Sequence, residues 1–453
     1  MAARWWQVSL AALAAVLAAC SDSGSAQPSP GTTSSSTSAA TPPANTPTPT
    51  RTTAATTQPL VLAIHPTRAA QNIDLTTARS IARGTLKSWR GFQVGSLRQA
   101  QRSTTTLTLV PASAAGPSIR PLTVAGIDPF KDPARYPLRT PGPQPTAPVI
   151  DLTAGGDVML GRRVANAAAR TADVSRPLRA IGPRLASADL TVLNLESTLS
   201  RAGTAQQGGD SFAAPPGVVA GLRDAGVDVL SLANNHTGDF QRRALIDTVR
   251  LVRAGGIQPV GAGGNLTEAA RPAIVERDGV RFGVLAFNAI GETPRATGTS
   301  AGAFSLRMPP RTGPLNAADL ATVTRAVTTL KAAVDVVVVL PHWGQQYTHT
   351  PVPAQHTVAA ALTKAGADLV IGGHPHWVQS VQFPAGKVVA HSLGNLVFDM
   401  DFSQQTQEGV LLELTYWGKT LKAARLTPYV IGSDYSPRVV TGARAEQILA
   451  DIR

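Results

Sequence analysis

Six polar side chains of metal-binding type follow short apolar runs in the C-terminal two thirds of the chain. They are Asp157, Glu196, Asn235, His342, His374 and His376. A polar group at the end of a buried strand needs a partner to be stable, and a shared metal site supplies one. Histidine, carboxylate and amide oxygen together suit zinc, manganese or iron better than calcium or magnesium alone. The pattern therefore predicts a site for divalent metal ions.

The spacing within this set adds detail. His374 and His376 are alternate residues, which face the same side of an extended segment and can reach two neighbouring ions. A carboxylate between two cations can bridge them at the short separation used in phosphoester hydrolysis. Gly155 and Gly156 predict a sharp backbone turn from which the Asp157 carboxylate projects. One or two ions and hydrolytic chemistry are therefore expected.

The elements that must position these residues are short buried strands alternating with amphipathic helices. Predicted strands are Val149 to Thr153, Leu190 to Leu195, Val227 to Leu232, Val280 to Phe287, Val334 to Leu340, Asp368 to Ile371 and Val388 to His391. Predicted helices are Pro215 to Ala225, Asp239 to Ala254, Ala317 to Ala333 and Pro353 to Ala365. Two further strands, Val410 to Tyr416 and Leu421 to Val430, would close the sheet. This alternation favours an α/β layered domain, with its polar residues gathered at the strand ends.

Six ordered motifs resemble those of the CapA family, the poly-gamma-glutamate capsule biosynthesis proteins, which are similar to calcineurin-like metallophosphoesterases. They are GDVMLGR (Gly156 to Arg162), NLE (Asn194 to Glu196), ANNH (Ala233 to His236), HWG (His342 to Gly344), GHPH (Gly373 to His376) and HSLGNLVFD (His391 to Asp399). The resemblance implies a layered α-β-β-α metallophosphoesterase-like sandwich over residues 149–435. It is preceded by a small α/β domain, and a tail follows at 436–453.

The resemblance also implies a role for each matching residue. Asp157 and His376 would hold one ion, Glu196 would bridge, and Asn235, His342 and His374 would hold the second ion. His236 would protonate a leaving group or orient the bound anion. Arg162 could bind a phosphate or carboxylate through two of its guanidinium nitrogens, or be an exposed arginine in the first turn of a helix.

Some positions depart from the family pattern or leave two readings open. Met159 stands where the phosphoesterase pattern has a histidine, so one ion would lose an imidazole ligand. Gln346 lies where an acidic residue is expected. Trp343 could be a wall of the pocket or plain packing, and Ser392 and Asn395 are expected at the pocket floor.

The first 58 residues are typical of an exported, tethered protein. Residues 1–20 read as a lipoprotein signal peptide, with Arg4 before an apolar run that ends at Cys20. Lipidation of Cys20 would hold the protein on the outer face of the bacterial cell membrane; the alternative is an ordinary cleaved signal with an incidental cysteine. Residues 21–58 are rich in Ser, Thr and Pro and are expected to be a disordered tether. The chain has 1 cysteine, which excludes an intramolecular disulfide.

Residues 59–148 form a basic region expected to be a small, solute-binding-like domain. The chain carries a formal charge of +13, and this region alone holds 11 Lys and Arg against 3 Asp and Glu, a net +8. Such a region could attract anionic lipid or an acidic cell-surface polymer, or the arginines could simply be solvated. Nucleic acid is a poor partner for an exported protein.

Two functional hypotheses follow. The first is a metal-dependent hydrolase of phosphoester or amide-like bonds in an anionic cell-envelope polymer or its precursor. The second is a non-catalytic component that binds the polyanion while membrane polymer-synthase proteins synthesise it. The missing imidazole at Met159 favours the second hypothesis, and His236 favours the first.

Overall fold

The computed structural model describes residues 56–143, 146–171 and 173–453. The predicted signal peptide, Cys20 and most of the predicted tether lie outside these residues. From Ala54 onward the chain forms one compact unit. Within the described residues, no helix combines the length and apolar character needed to cross a membrane.

The basic region folds around a small sheet with the order β3-β4-β5-β1-β6, to which β8 is added beside β1. Its strands are β1 (Thr57–Ile64), β2 (Asn72–Ile73), β3 (Ser88–Trp89), β4 (Phe92–Gly95), β5 (Thr106–Pro111), β6 (Arg120–Pro121), β7 (Thr123–Val124) and β8 (Arg139–Pro141), and its helices are α1 (Leu75–Ala82) and α2 (Leu97–Ala100). Alternate residues of β1 face opposite sides of the sheet. Leu62 and Ile64 pack in the cluster that contains α1 residues, whereas Val61 and Ala63 pack in the cluster that contains Ala100 of α2.

The rest of the described chain forms two larger sheets, a small two-stranded sheet and the covering helices. The strands are β9 (Val149–Val158), β10 (Leu190–Leu195), β11 (Val229–Ser231), β12 (Gln258–Val260), β13 (Ala262–Gly263), β14 (Ala273–Arg277), β15 (Val280–Asn288), β16 (Gly302–Ala303), β17 (Val336–His342), β18 (Leu369–Ile371), β19 (Val381–Gln382), β20 (Val388–Ala390), β21 (Asn395–Val397), β22 (Glu408–Trp417), β23 (Thr420–Ile431) and β24 (Pro437–Val439). The helices are α3 (Arg162–Ala169), α4 (Gly182–Leu185), α5 (Val218–Asp224), α6 (Gln241–Ala254), α7 (Leu266–Ala269), α8 (Ala317–Lys331), α9 (Pro353–Ala365) and α10 (Gly442–Ala450).

These sheets pack face to face with helices on both outer sides. One has the order β12-β11-β10-β9-β22-β23-β24, and the other has the order β14-β15-β17-β18-β20-β19. A shared apolar core, with Leu152 and Val338 among its members, lies between them. A second core joins the first sheet to α3, α5 and α6, and a third joins the second sheet to α8 and α9. The predicted α-β-β-α sandwich is confirmed.

Parallel pairing brings the ends of the central strands together. β9, β10, β11 and β12 pair in parallel, as do β15, β17, β18 and β20. The sequences of these central strands are apolar because both faces of each strand are covered. Polar residues at their carboxyl ends therefore collect at one edge of the sandwich.

The predicted turn at Gly155 and Gly156 is wrong. β9 continues in extended form through both glycines and reaches Val158, so Asp157 lies inside the strand. At Gly156 an added Cβ would stand 2.0 Å from the carbonyl oxygen of Gly394. Gly156 is therefore required for close approach of β9 to the chain before β21, not for a turn. The C-terminal tail is also structured, since Ile448 and Leu449 of α10 are fully buried.

Candidate metal centre

The structure brings all six predicted metal ligands to one edge of the sandwich. Asp157 is the next-to-last residue of β9, Glu196 follows β10, Asn235 follows β11, His342 ends β17, and His374 and His376 follow β18. Each is at most 4% exposed, far less than these residue types usually are. A group of buried acids, amides and imidazoles with this composition is the expected setting of a metal centre.

Two carboxyl groups lie at the middle of the cluster. The oxygens of Asp157 accept hydrogen bonds from Asn194 Nδ2 (2.7 Å) and from the backbone N of His374 (2.8 Å). Neither oxygen of Glu196 meets a hydrogen-bond partner in the described part of the chain. Burial, with the neighbouring Glu196 carboxylate, raises the pKa of Asp157 to about 7, and burial raises the pKa of Glu196 to about 7. A cation would relieve this unfavourable burial.

Three imidazoles surround these acids. His342 Nε2 lies 2.8 Å from Asn235 Oδ1, and His376 Nδ1 lies 2.9 Å from Asn395 Oδ1. Neither ring nitrogen of His374 has a partner among the described residues. Burial lowers the pKa of His342 to about 4 and of His376 to about 3, and it holds the pKa of His374 well below its usual range. The rings are therefore neutral near pH 7, the form that binds metal.

The donor atoms form two overlapping groups. One contains Glu196, His374 and His376, and the other contains Asp157, Glu196 and His342. Within each group the donor atoms lie within 4.8 Å of one another. Glu196 is common to both, the position expected of a bridging ligand. The unpartnered atoms of Glu196 and His374 fit a divalent ion, because unpaired buried polar groups are otherwise costly. The division of ligands between two ions stays a prediction, since these groups pair Asp157 with His342 rather than with His376.

His236 stands beside this cluster and is held in place by two neighbours. Its Nδ1 lies 2.8 Å from Asp239 Oδ2, and its ring stacks on Phe212 with centroids 3.7 Å apart. Its Nε2 lies 3.9 Å from Glu196 Oε1. The Asp239 carboxylate fixes the ring orientation and leaves Nε2 facing the cluster. This geometry suits a residue that delivers a proton to a reacting group.

Arg162 lies at the rim of the cluster. Its guanidinium group stands 4.3 Å from the centre of the Phe212 ring and pairs with Asp399 and with Asp210. The Asp210 pair spans 3.2 Å, and the Arg162 side chain is 25% exposed. Arg162 is the first residue of α3, as one of the two interpretations predicts. Its guanidinium group also lies over the ring of Phe212, and that ring stacks on His236. A negatively charged substrate group could still meet its exposed part.

The departures from the family pattern have clear structural settings. Met159 is fully buried in the apolar core under α3, and its sulfur accepts a hydrogen bond from Gly161 N at 3.0 Å. Trp343 is also fully buried, and its Nε1 donates to the carbonyl oxygen of His391 at 3.0 Å, so it is packing and not a pocket wall. Tyr347, just after Gln346, stacks on His376 with ring centroids 6.0 Å apart.

A sequence profile of the family described as "Bacterial capsule synthesis protein PGA_cap" matches residues 151–400, more than half of the chain. The chain belongs to this family. All six predicted metal ligands fall within the PGA_cap match, whereas the basic region at 59–148 lies outside it.

Two relatives extend the comparison. The chain is 29% identical over 299 residues to "Capsule biosynthesis protein CapA" of Bacillus anthracis, covering 65% of this chain and 70% of the relative. It is 31% identical over 193 residues to "PGA biosynthesis protein CapA" of Bacillus subtilis, covering 42% of this chain and 48% of the relative. The chain thus spans about half the length of the second relative.

Solved structures give weaker likenesses. A novel phosphatase from Mycoplasma pneumoniae superposes with a TM-score of 0.41 at 13% identity, covering 67% of this chain and 98% of that one. A hypothetical protein from Thermus thermophilus gives a TM-score of 0.37 at 16% identity, covering 62% and 99%. At these TM-scores, neither likeness informs the function of this PGA_cap protein.

The sequence does not mark several residues that contact the candidate metal centre. Asp239 orients His236, and its signal was a carboxylate three residues after the histidine. Glu292 accepts a hydrogen bond from Asn235 Nδ2 at 2.8 Å and pairs with Arg311 at 2.6 Å. No motif marks Glu292, because only the fold brings its loop to Asn235. Asn395, expected at the pocket floor, contacts His376 directly.

Proposed function

We propose that this protein is a metal-dependent hydrolase that cleaves phosphoester or amide-like bonds in an anionic cell-envelope polymer or its precursor. The observation that carries the proposal is the set of buried, unpartnered donor atoms on Glu196 and His374, beside neutral imidazoles. The relatives are named for capsule and PGA biosynthesis, which supports a polymer of that kind as the substrate.

The proposed chemistry divides between the ion and the side chains. The residues that would hold metal are Asp157, Glu196, Asn235, His342, His374 and His376. When bound, the ion acts as a Lewis acid toward the oxygen of the bond to be cleaved. His236 Nε2 delivers a proton to the leaving group, and Asp239 keeps its ring in position. The exposed part of Arg162 orients the anionic substrate at the rim.

The proposed location is the outer face of the bacterial cell membrane, with Cys20 lipidated. The apolar run that ends in Leu17-Ala18-Ala19-Cys20 supports this location. We further propose that the protein works beside the membrane proteins that synthesise or export the polymer.

A combined metal and activity measurement tests the hydrolase. Purified protein is expected to hold a transition metal by elemental analysis and to hydrolyse bis(p-nitrophenyl) phosphate. Glu196→Gln should lose both properties, whereas Glu276→Gln, an exposed carboxylate on β14, should lose neither. A protein that binds no divalent ion, or that hydrolyses equally well after Glu196→Gln, would contradict the proposal.

A second function, polyanion binding without catalysis, is favoured by one observation. Met159 provides apolar packing where an imidazole would complete one ion's shell, and both oxygens of Asp157 already accept hydrogen bonds. In that case metal would be bound, the polymer would bind, and no bond would be cleaved in the same assay.

A further inference from the structure

The basic region carries a long stretch without acids, outside the PGA_cap match. Between Asp74 and Asp128 there are 53 residues, seven of which are Lys or Arg and none of which is Asp or Glu. Arg120 is buried and donates to the carbonyl oxygen of Leu426. The other six are exposed, and we name them the basic surface: Arg79, Arg83, Lys87, Arg90, Arg98 and Arg102.

No acidic side chain of the described residues pairs with the cations of the basic surface. None takes part in an ion pair across residues 56–143, 146–171 and 173–453, whereas Arg68, Lys131 and Arg135 of the same region do. In the part of the chain that the structure describes, the Arg90 guanidinium contacts two neutral groups, the Gln71 amide at 3.4 Å and the Trp89 ring at 5.1 Å. Uncompensated charge of one sign produces a potential that attracts an anionic partner.

We propose that the basic surface is a second binding site, separate from the metal centre, for a linear polycarboxylate chain. The identity of the ligand rests on the proposed role in capsule polymer assembly, but the site itself rests on the charges of residues 79–102. Its cations would hold the polymer while the metal centre acts on another part of it.

The shape of the small sheet favours a flexible chain over a membrane. α1 and α2 pack on opposite faces of that sheet, so Arg79 and Arg98 lie on different sides of it. A flexible polymer can follow charges around an edge, whereas a flat bilayer meets mainly one side. The large exposed hydrophobic side chains of the described residues all lie beyond residue 143, so the basic surface offers little to insert into lipid.

Binding of poly-glutamate to the full-length chain tests this proposal. The measurement is made by calorimetry at low salt with EDTA present, so that the metal centre cannot contribute. A variant with Arg79→Gln, Arg83→Gln, Lys87→Gln and Arg90→Gln should bind about tenfold more weakly. The wild-type affinity should fall toward that of the variant at about 1 M salt, where the Debye length is about 3 Å.

A charge-matched control separates the basic surface from net charge. Arg253, Arg271, Arg325 and Lys364 are also exposed, and all lie outside the basic region. Replacing these four by Gln should change poly-glutamate affinity less than twofold. Equal losses in both variants, or no loss in either, would overturn the proposal.

Two further measurements identify the ligand and distinguish this proposal from the hydrolase proposal. If the four changes at 79–90 abolished binding to phosphatidylglycerol vesicles but left poly-glutamate affinity intact, the occupant would be a membrane and the proposal would be wrong. The rate of bis(p-nitrophenyl) phosphate hydrolysis should be equal in the wild type, in the variant changed at 79–90 and in the charge-matched control. An inactive metal centre with intact, site-specific poly-glutamate binding would refute the hydrolase proposal and support the basic surface.

Discussion

At the scale of single residues, two carboxylates outside the predicted ligand set contact residues of the candidate metal centre. Asp239 accepts from Phe212 N at 2.6 Å and lies 2.8 Å from His236 Nδ1. Glu292 lies between Asn235 and Arg311. Neighbours of this kind fix the orientation of functional side chains and change affinity or activity when they are removed.

Asp239→Asn is expected to separate metal binding from catalysis. The substituted amide can still occupy the space, but the carboxylate that holds the His236 ring with Nε2 toward the cluster is lost. Metal content should be unchanged, and the turnover of bis(p-nitrophenyl) phosphate should fall about a hundredfold. Asp224→Asn, at an exposed carboxylate of α5, should leave both values as in the wild type. Loss of metal from the Asp239 variant would show that Asp239 supports the ligands instead.

Glu292→Gln is expected to weaken metal binding. Its carboxylate holds the Asn235 amide with Nδ2 turned away, which leaves Oδ1 toward His342 Nε2. A glutamine also presents an NH₂ group, so the Asn235 amide loses its fixed orientation. We expect a loss of about tenfold in metal affinity, measured by competition with a chelating dye. Metal affinity equal to that of the wild type would mean that Arg311 and the loop backbone suffice to orient the Asn235 amide.

The sequence identified the residues that the fold brings together at the candidate metal centre, but it did not mark the residues that support them. Asp157, Glu196 and His342 were identifiable because strand ends of a parallel sheet converge, whatever the loops do. Glu292 belongs to a loop whose path depends on packing with residues far along the chain, so no local pattern marks it. The two readings of Trp343 also could not be separated, because its burial depends on Phe287 and His391.

At the scale of elements, strand β9 contains two consecutive glycines and is nevertheless extended through both. Consecutive glycines are typical of turns, but here Gly156 lets two backbones approach. Gly156→Ala should destabilise the fold by about 2 kcal/mol or more, because its Cβ would clash with the Gly394 carbonyl. Gly116→Ala, with nothing within 4 Å of the added Cβ, is the control for urea unfolding. Equal stability of the two variants would show that the approach of β9 to Gly394 tolerates a Cβ at position 156.

Helix α8 is tied to the preceding loops by one carboxylate. Asp319 pairs with Arg295 and Arg307 at 2.8 and 2.9 Å, and its side chain is 10% exposed. The Arg295 and Arg307 guanidinium groups hold the pKa of Asp319 below its ordinary value. A carboxyl whose pKa is lower in the folded state stabilises the fold above the unfolded-state pKa, and that stabilisation is lost as the pH falls.

Asp319→Asn tests this acid dependence. The variant should lose about 2 kcal/mol of unfolding free energy at pH 7 and progressively less below about pH 4, where Asp319 becomes protonated in the unfolded wild type. Urea unfolding at several pH values measures both proteins. A difference that stayed constant down to pH 2 would show that the charge of Asp319 is not the cause.

At the scale of the whole molecule, the basic region is joined to the sandwich by buried polar contacts. Arg425 of β23 pairs with Asp128 at 2.6 Å, and these side chains are 10% and 16% exposed. Arg120 Nη1 donates to the carbonyl oxygen of Leu426 at 2.7 Å, and Ala423 packs with Val61 and Phe130. These contacts explain why the chain from Ala54 onward is one compact unit, although the PGA_cap match begins only at residue 151.

Asp128→Asn is therefore expected to weaken the entire fold. Removing one partner of a buried ion pair leaves an uncompensated charge on Arg425, which costs about 3 kcal/mol. Because the two parts share a core, calorimetry should show a single unfolding transition at a lower temperature. Asp132→Asn, in an exposed pair with Arg135, should shift it little. If the variant instead melted in two separate steps, Asp128 would be the contact that couples the basic region to the sandwich, and folding of the sandwich would not require it.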